Sequence, residues 1–353
     1  MGRRYSWTYG KAGIDLNKIK RVHDRIDQGI SSTLLLRKGK LGEVYQGSGH
    51  YAGLVRIGNK RLLALHTDGV GTKVLVAQEM RKFSTIGIDC VAMNVNDVVC
   101  VGAEPLAIVD YIALSDPNES LVAEIIKGLT EGAKQASVAI IGGETAIMPD
   151  VVDGKGKNAF DLAASCVGIV DENKLVLAKS MRKDDVIIGL HSSGIHSNGL
   201  TLARKVLLKQ HGIREKLPNS SKSIGMMLLT PTKIYSPAIM QILNDGSKIT
   251  GLAHITGGAF GKITRLTLGR NLGFDIENLP EPPEIFGLIQ EEGRISKKEM
   301  YRTFNMGIGF CVISRKSDVS EIIRSFDSLG IESNKIGRVI ARKGVYIDGE
   351  RIA

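Results

Sequence analysis

The 353-residue chain has few aromatic residues, and this scarcity limits the partners that we expect. Phe, Trp and Tyr make up 5% of the sequence, with a single Trp, and no stripe of interleaved basic and aromatic residues is present. We therefore expect no nucleic-acid partner, although the formal net charge is +10. A basic surface equally suits small polyanions such as nucleotides.

The sequence also has few cysteines and no long apolar segment. Its four cysteines lie far apart, each in an apolar run and without metal-ligand spacing: Cys90, Cys100, Cys166 and Cys311. This pattern is typical of reduced core thiols. No stretch approaches the roughly 18 apolar residues of a membrane span, and the first 30 residues do not resemble a signal peptide. The sequence therefore predicts a cytoplasmic protein with no membrane partner.

Glycine, in contrast, is abundant. The 41 glycines and a hydrophobic content of 43% are typical of an α/β protein with many tight loops between strands and helices. The length exceeds what a single core usually supports, so we expect two domains. A polar segment at residues 171–184 predicts the boundary between them, with one domain at residues 1–172 and the other at residues 173–353.

One glycine-rich loop follows a short apolar run, Leu62–Leu65, that predicts a buried strand, and leads into a helix predicted at residues 74–80. The loop carries an acid, two glycines, a threonine and a lysine: Asp68, Gly69, Gly71, Thr72 and Lys73. Such a loop before a helix N-terminus binds anions, although a carboxylate needs a metal ion to approach a phosphate. The segment predicts either a metal–phosphate site with Lys73 as a nearby charge, or a tight turn with solvated Asp68 and Lys73.

Polar residues interrupt an apolar helix that we predict from Ile86 onward. Isoleucine and valine recur there at helical spacing, whereas Asp89, Asn96 and Asp97 share another face. Acids are costly to bury unless they are paired or bind a metal ion. We expect Asp89 to face solvent and Asn96 with Asp97 to bind a ligand.

Further acids lie near the ends of predicted elements. After a helix predicted at about Glu119–Ala136, the predicted strand Val138–Ile141 opens into Gly142-Gly143-Glu144, and Asp161 begins the predicted strand Leu162–Val170. Ligands of α/β proteins gather at such ends. Oxygen donors without Cys or His ligands favour Mg²⁺, which binds through carboxylates, waters and substrate phosphates. Five acids of the first half fit this pattern: Asp68, Asp97, Asp110, Glu144 and Asp161.

A second phosphate loop is predicted in the other half of the chain. The strand Val186–Leu190, a Gly/Ser-rich loop at residues 191–199 and a helix at Leu200–Lys209 repeat the strand–loop–helix pattern. His196 lies between two glycines of this loop, so we expect it to face a ligand. We expect His191 and His254, at the ends of apolar runs, to be structural.

Three further segments are open to more than one interpretation. The segment Gly47–Gly53 is predicted to be either a linker or a lid over a ligand. A helix is expected to start within Thr230–Tyr235, with proline in its first turn. Arg302 and Asn305 could each bind a ligand or cap a turn.

Eight blocks of glycine and polar residues occur in a fixed order along the chain. They are 67–73, 86–97, 102–105, 142–146, 192–199, 229–235, 254–258 and 302–309. Together they resemble the phosphoribosylformylglycinamidine cyclo-ligase family, also called aminoimidazole ribonucleotide synthetase. The blocks of the first half are shared loosely with a wider ATP-using superfamily, whereas the last three point to the cyclo-ligase itself.

The resemblance implies a reaction and partners. Members of the family convert formylglycinamidine ribonucleotide and ATP into aminoimidazole ribonucleotide, ADP and phosphate, the fifth step of purine synthesis. ATP with Mg²⁺ is the expected cofactor. The expected assembly is a homodimer in which the N-terminal sheets, each a mixed sheet packed with helices, pair into a barrel.

The same resemblance assigns roles to individual residues. It places Asp68, Asp97 and Glu144 at Mg²⁺, with Asp161 as a further ligand, and makes His196, Lys73 and Asp97 catalytic. The residues expected to contact the nucleotide or its phosphates are Lys11, Asp68, Gly69, Gly71, Thr72, Lys73, Asn96, Gly143, Ser197, Asn198 and Gly199.

The sequence departs from the family pattern in places, and other features argue against the alternative functions. The lid is Gly47-Ser-Gly-His-Tyr-Ala-Gly53, where the family often has a Gly-Gly-Phe-Gly-like sequence, and His66 stands where a small residue is usual. A selenophosphate synthetase would carry a reactive Cys near its N-terminus, but no Cys precedes Cys90. A thiamine-phosphate kinase would lack the Arg302–Gly309 block, and a non-catalytic nucleotide-binding subunit would not need the complete set of acids.

Overall fold

Two mixed β-sheets, one in each half of the chain, organise the fold. The computed structural model describes residues 6–154, 156–217 and 220–353. The first sheet has six strands in the order β1-β2-β3-β6-β4-β5, and the second has seven in the order β13-β12-β9-β11-β7-β10-β8. The predicted α/β class, with mixed sheets packed by helices, is confirmed.

The first half contains the strands and helices that build the six-stranded sheet. The strands are β1 (Val44–Gln46), β2 (Gly53–Arg56), β3 (Arg61–Gly69), β4 (Glu104–Leu114), β5 (Ala139–Ile147) and β6 (Phe160–Asp171). The helices are α1 (Leu16–Ile30), α2 (Lys73–Met80), α3 (Ser84–Val99) and α4 (Glu119–Ala136). Short 3-10 helices lie at Ser31–Leu35, Gly156–Asn158 and Glu172–Lys174.

The second half builds the seven-stranded sheet in the same way. Its strands are β7 (Val186–His191), β8 (Ile249–His254), β9 (Gly273–Ile276), β10 (Ile308–Ser314), β11 (Ser333–Ile340), β12 (Gly344–Ile347) and β13 (Glu350–Arg351). Its helices are α5 (Leu200–Leu207), α6 (Ile224–Leu228), α7 (Ser236–Asn244), α8 (Glu284–Gly293), α9 (Lys297–Thr303) and α10 (Val319–Ser328), with a 3-10 helix at Ala259–Thr267.

One face of the six-stranded sheet packs against α3 and α4. Alternate residues of β6, such as Leu162 and Ala164, are buried on this inner face, as the two-residue period of a strand requires. The two helices approach closely because glycines meet at their crossing. A Cβ added to Gly87 would lie 2.1 Å from the Leu129 nitrogen, and one added to Gly128 would lie 1.8 Å from the Ser84 oxygen. This tight layer makes α3 a buried helix between the sheet and the rest of the chain.

The outer face of the same sheet is apolar and exposed. Leu65 on β3 is 50% exposed, Val109 and Tyr111 on β4 are 42% and 40% exposed, and Ile141 on β5 is 68% exposed. A monomeric protein seldom presents such a contiguous apolar face to water. Within one chain, no described element covers this face.

Several predicted elements differ from the observed ones. The helix over Glu119–Ala136 is confirmed. However, β3 continues through Gly69 and β5 continues through Gly142-Gly143 to Ile147, so these glycines lie in strands and not in loops. Residues 230–235 are not helical, and α7 begins at Ser236 with Pro237 in its first turn. The linking segment after Asp171 is polar, and the domain boundary at residues 172/173 remains a prediction.

The cysteine prediction is confirmed, because all four cysteines are free and buried. Among the described residues, no helix combines the length and the apolar character needed to cross a membrane.

Candidate active site

A cluster of buried and half-buried titratable side chains lies where β3 and α3 of the first half meet β8 and the following 3-10 helix of the second half. We call it the Asp97 cluster: His66, Asp68, Asp97, His254 and Lys262. One Asp97 oxygen accepts a hydrogen bond from His254 Nδ1 at 2.7 Å, and the other lies 3.5 Å from His66 Nε2. Lys262 donates a hydrogen bond to Thr256 Oγ1. Asp97 is 1% exposed and His254 is fully buried.

The charges of this cluster shift the pKa of its acids in opposite directions. Burial raises the pKa of Asp97, but the hydrogen bond from His254 and the charges of Lys262, His254 and His66 outweigh burial, and the pKa falls to about 2. Burial raises the pKa of Asp68, and the neighbouring Asp97 charge raises it further. Asp97 is therefore ionised at neutral pH, and a cation placed beside both acids would favour the ionised form of Asp68.

Asn94, which the sequence interpretation did not single out, fixes the position of Asp68. Its Oδ1 accepts from the Asp68 N–H at 3.1 Å, and its Nδ2 donates to the Asp68 carbonyl at 3.2 Å. The side chain also donates to the Cys90 carbonyl at 2.9 Å within α3. The end of β3 is thus held on α3, which carries Asp97 one helical turn further on. The sequence did contain a signal for Asn94, because it is a polar residue within a predicted apolar helix.

Asn96 has a different role from the predicted one. Its Oδ1 accepts from the Tyr235 N–H at 2.8 Å, and its Nδ2 donates to the Lys233 carbonyl at 2.9 Å. Both ends of the amide therefore bind backbone of the 230–235 segment, and Asn96 is fully buried. In this arrangement Asn96 joins the two halves of the chain and has no polar group directed at a ligand.

The predictions for Lys73 and Asp89 are wrong, because the two side chains form a fully buried ion pair. Lys73 Nζ lies 2.8 Å from Asp89 Oδ2 and donates to the Thr230 carbonyl at 2.7 Å. Asp89 also accepts from the Thr232 N–H at 2.7 Å and from Ser197 Oγ at 3.1 Å. Asp89 therefore does not face solvent, and the lysine that neutralises it is unavailable to a phosphate.

His196 lies on the loop at residues 192–199, as predicted, but it is almost completely buried, with 1% exposure. Its Nε2 accepts from the Ser193 N–H at 3.2 Å and from the Lys233 N–H at 3.4 Å. Its backbone φ is +64°, a left-handed conformation that few residue types other than glycine adopt readily. Burial lowers the pKa of His196 well below its usual value, and the charges of His254, Lys73 and Lys233 lower it further. The imidazole is therefore neutral, with its proton on Nδ1.

Two polar atoms of this loop lack hydrogen-bond partners among the described residues. They are His196 Nδ1 and Asn198 Nδ2, both of which are buried. An unpartnered buried donor is costly, so native proteins rarely retain one without a functional reason. Ser197 instead donates to Asp89, and Gly199 is required at its position because a Cβ there would lie 2.4 Å from the Phe304 ring. Within this loop, His196 and Asn198 are thus the side chains with unused donors.

The two predicted phosphate loops lie side by side. Thr72, which precedes α2, has its Oγ1 3.0 Å from Thr201 Oγ1 in the first turn of α5. Gly71 has a φ of +68° in the turn between β3 and α2. Lys11 is exposed and donates to the Ser6 carbonyl, and its segment reaches α5 through Lys205, which donates to the Ala12 carbonyl at 2.9 Å. The structure therefore brings together Thr72, the start of α5 and the segment of Lys11.

Glu144 and Asp161 lie on the other side of the sheet. In the ladder, Asp68 pairs with Ala164 of the inner face, whereas Glu144 pairs with Tyr111 and Asp161 with Ala113 of the outer face. Side chains alternate between faces along a strand, so Asp68 and Glu144 cannot meet within one chain. Gly143 packs on Asp110, whose Oδ1 would lie 2.5 Å from an added Cβ. The four predicted carboxylate ligands thus do not converge in one chain.

A narrower metal site remains compatible with the geometry. In the part of the chain that the structure describes, no group of three or more His, Cys, Asp or Glu side chains is placed to hold a metal ion. However, Asp68 and Asp97 are close enough for the charge of one to raise the pKa of the other. Mg²⁺ commonly binds one or two carboxylates and completes its coordination with waters and substrate phosphates. The donor set therefore fits Mg²⁺ that arrives with a nucleotide.

Comparison with known proteins identifies the family of this chain. Residues 49–170 match the N-terminal domain of AIR synthase related proteins, and residues 182–350 match the C-terminal domain. The chain is 46% identical over 341 residues to phosphoribosylformylglycinamidine cyclo-ligase of Thermococcus gammatolerans, covering 97% of this chain and 98% of the relative. The chain belongs to the phosphoribosylformylglycinamidine cyclo-ligase family. The Pyrococcus furiosus cyclo-ligase is likewise 46% identical, with 97% of each chain covered.

Proteins outside the cyclo-ligase family share the fold. The structure of AaThiL complexed with AMPPCP and TMP superposes with a TM-score of 0.65 at 17% identity, covering 96% of each chain. Identity at that level shows the fold alone. The assignment to the cyclo-ligases therefore rests on sequence identity along nearly the whole chain, and the family predicted from the ordered blocks is confirmed.

Proposed function

We propose that the chain catalyses the ATP-dependent cyclisation of formylglycinamidine ribonucleotide to aminoimidazole ribonucleotide, in a biosynthetic pathway of the cytoplasm. The observation that carries the proposal is the Asp97 cluster, in which two aspartates, a lysine and two histidines meet at the junction of the two halves of a cyclo-ligase-family chain. The complex of AaThiL with AMPPCP supports use of ATP by the shared fold.

The proposed reaction has two balanced steps. The formyl oxygen of the substrate attacks the γ-phosphorus of ATP, so that an O–P bond forms and ADP leaves. The amidine-side nitrogen then attacks the activated carbon and loses a proton, while the C–O bond breaks and phosphate leaves with the former formyl oxygen. Phosphorylation is needed because an amide oxygen is otherwise a poor leaving group. The enzyme contributes chiefly by positioning the reactants and stabilising charge.

The proposed roles follow from which groups are available. Lys262, and not Lys73, supplies positive charge at the Asp97 cluster. Asp68 and Asp97 would hold Mg²⁺, which neutralises phosphate charge when bound. The Nδ1–H of His196 and the amide of Asn198 would donate hydrogen bonds to the substrate, and Lys11, Gly71 and Thr72 would lie at phosphates.

The proposal can be tested by incubating the purified full-length chain with ATP, Mg²⁺ and formylglycinamidine ribonucleotide. We expect ADP to form in step with a product lighter than the substrate by one water, identified by mass spectrometry. Parallel reactions with thiamine monophosphate in place of the substrate test the kinase alternative. ADP formation with thiamine monophosphate only would contradict the proposal, and nucleotide binding without any turnover would favour a non-catalytic subunit.

Replacing His196 should separate its proposed donor role from loop structure. We expect His196→Ala to lower kcat by roughly 10²- to 10³-fold, the usual effect of losing one donor to a developing charge, with a small effect on the KM for ATP. His196→Asn is the matched variant, because Asn retains an N–H donor and tolerates a positive φ. Partial recovery of kcat in His196→Asn is expected, and unchanged kinetics in His196→Ala would leave His196 a structural residue.

The exposed face of the six-stranded sheet supports a homodimer as part of the proposal. Two copies that pair these faces would cover Leu65, Val109, Tyr111 and Ile141, and would also bring the outer-face acids Glu144 and Asp161 to the subunit junction. The roles predicted for these two acids are thus proposed for the dimer and not for a single chain.

A charge on this face should dissociate the dimer. We expect Val109→Lys to sediment as a monomer in analytical ultracentrifugation, because burying an unpaired lysine in an apolar interface is unfavourable. Val151→Lys is the matched control, since Val151 is 73% exposed and lies outside the sheet. A Val109→Lys protein that keeps the sedimentation coefficient of Val151→Lys would rule out this face as the interface.

A further inference from the structure

His50 is a buried histidine outside the set of residues considered so far. It lies in the segment Gly47–Gly53, just before β2, and is 7% exposed. Neither ring nitrogen has a hydrogen-bond partner among the described residues. An imidazole always carries at least one N–H donor, and the neutral ring also has an acceptor. Leaving both unused in a buried position is unfavourable, and an apolar ring of similar size would avoid that cost.

The surrounding contacts hold His50 against the element that carries Lys262. Its carbonyl accepts from Arg265 Nη1 at 3.3 Å, and the adjacent Tyr51 hydroxyl donates to the Lys262 carbonyl at 3.4 Å. The guanidinium of Arg265 also lies 5.3 Å from the centre of the Tyr51 ring. The segment Gly47–Gly53 of the first half is therefore packed on the 3-10 helix Ala259–Thr267 of the second half, at the edge of the Asp97 cluster.

The charges around His50 keep its ring neutral. Burial and the Arg265 charge together lower the pKa of His50 to about 4, although the Asp97 charge acts in the opposite direction. Because the Asp97 charge affects the pKa of His50, the ring lies within electrostatic reach of the Asp97 cluster. A neutral imidazole is poorly matched to a phosphate, for which Lys262 and Arg265 already supply positive charge. It is well matched to an uncharged group that donates or accepts a hydrogen bond.

We propose that His50 is a further ligand-binding residue of the candidate active site, where one of its ring nitrogens hydrogen-bonds an uncharged polar group of a reactant. Two reactants of the proposed function carry such a group, namely the formamide of formylglycinamidine ribonucleotide and the amino-pyrimidine edge of the adenine of ATP. The inference rests on the proposed function for the identity of these reactants. It does not depend on a protonated His50.

Three variants of the full-length chain test this role. His50→Phe removes both nitrogens and keeps an aromatic ring, and His50→Asn retains a donor and an acceptor. Tyr51→Phe is the control for disturbance of the segment, because it removes only the neighbouring hydroxyl. The affinities for formylglycinamidine ribonucleotide and for AMPPCP are measured separately by isothermal titration calorimetry, together with the thermal midpoint of each variant.

The expected result is that His50→Phe loses roughly 10-fold affinity for one of the two ligands, since each tenfold in affinity corresponds to about one hydrogen bond. We expect its thermal midpoint to equal or exceed that of wild type, because unpartnered polar atoms are removed, and expect His50→Asn to recover part of the affinity. A loss of affinity for formylglycinamidine ribonucleotide would identify the formamide as the partner of His50. A loss of affinity for AMPPCP would identify the adenine base as that partner.

Two results would overturn the proposal for His50. One is unchanged affinity of His50→Phe for both ligands. The other is a lowered thermal midpoint of His50→Phe together with an equal loss of affinity for the two ligands, which indicates a structural role. If the proposed function is wrong, the wild-type chain will show no turnover, which is a separate result. In that case the AMPPCP titration still decides whether His50 binds nucleotide.

Discussion

Replacing Asp97 with Asn is expected to lower turnover by roughly 10³-fold while the fold and the oligomeric state stay intact. The carboxylate accepts from His254 and lies 3.5 Å from His66, and its charge is balanced by Lys262. Asn is isosteric but neutral, so it leaves Lys262 without its main counter-charge and removes an oxygen that would bind Mg²⁺. The remaining activity of Asp97→Asn should require a higher Mg²⁺ concentration than the activity of wild type.

Steady-state kinetics, circular dichroism and analytical ultracentrifugation together check this expectation. The matched control is Asp245→Asn, which makes the same chemical change at the exposed end of α7 and should behave like wild type. Turnover of Asp97→Asn close to that of Asp245→Asn would remove Asp97 from the active site.

Lys73→Met is expected to lower the free energy of unfolding by roughly 3–5 kcal/mol, the range measured when one partner of a buried ion pair is removed. The ammonium is fully buried and neutralises Asp89, which would otherwise be a lone buried charge. Activity should fall as well, because Asp89 also bonds Ser197, which follows His196 in its loop, and Thr232 of the 230–235 segment.

A double variant separates this structural role from contact with phosphate. In Lys73→Met/Asp89→Asn the buried charge is gone, while the amide oxygen can still accept from Thr232, so urea unfolding should show recovery of a large part of the lost stability. If Lys73 contacted ATP, the single variant would keep its stability and raise the KM for ATP instead.

Local sequence patterns predicted the elements of the fold well, but they did not predict which residues pair across the chain. The helix predicted at about Glu119–Ala136 is observed as α4 with the same limits. In contrast, Lys73 was expected at a phosphate because charged residues in glycine-rich loops usually face solvent or a ligand. Its contact with Thr230 joins residues 157 positions apart, and no local pattern reports such a contact.

Glycine was the other source of error. Gly142-Gly143 indicated a loop, but β5 passes through both residues, with a register shift at Ile141, which has no partner in β4. The extended strand places Glu144 on the outer face of the sheet, and sequence spacing cannot show which face a carboxylate takes once the strand limits are misjudged. His50 and Lys262 were missed for a related reason, since their environment is created by the packing of two halves of the chain.

The burial of α3 between the two halves has a mechanical consequence. Three side chains of α3 form hydrogen bonds to the second half: Asp89 to Thr232, Asn96 to Tyr235, and Asp97 to His254. These bonds attach the helix to two separate segments of the second half. A hinge rotation of one half against the other would have to break all three contacts together. We therefore expect the halves to move as a single rigid body, with reactants gaining access through displacement of surface segments and not through the opening of a cleft.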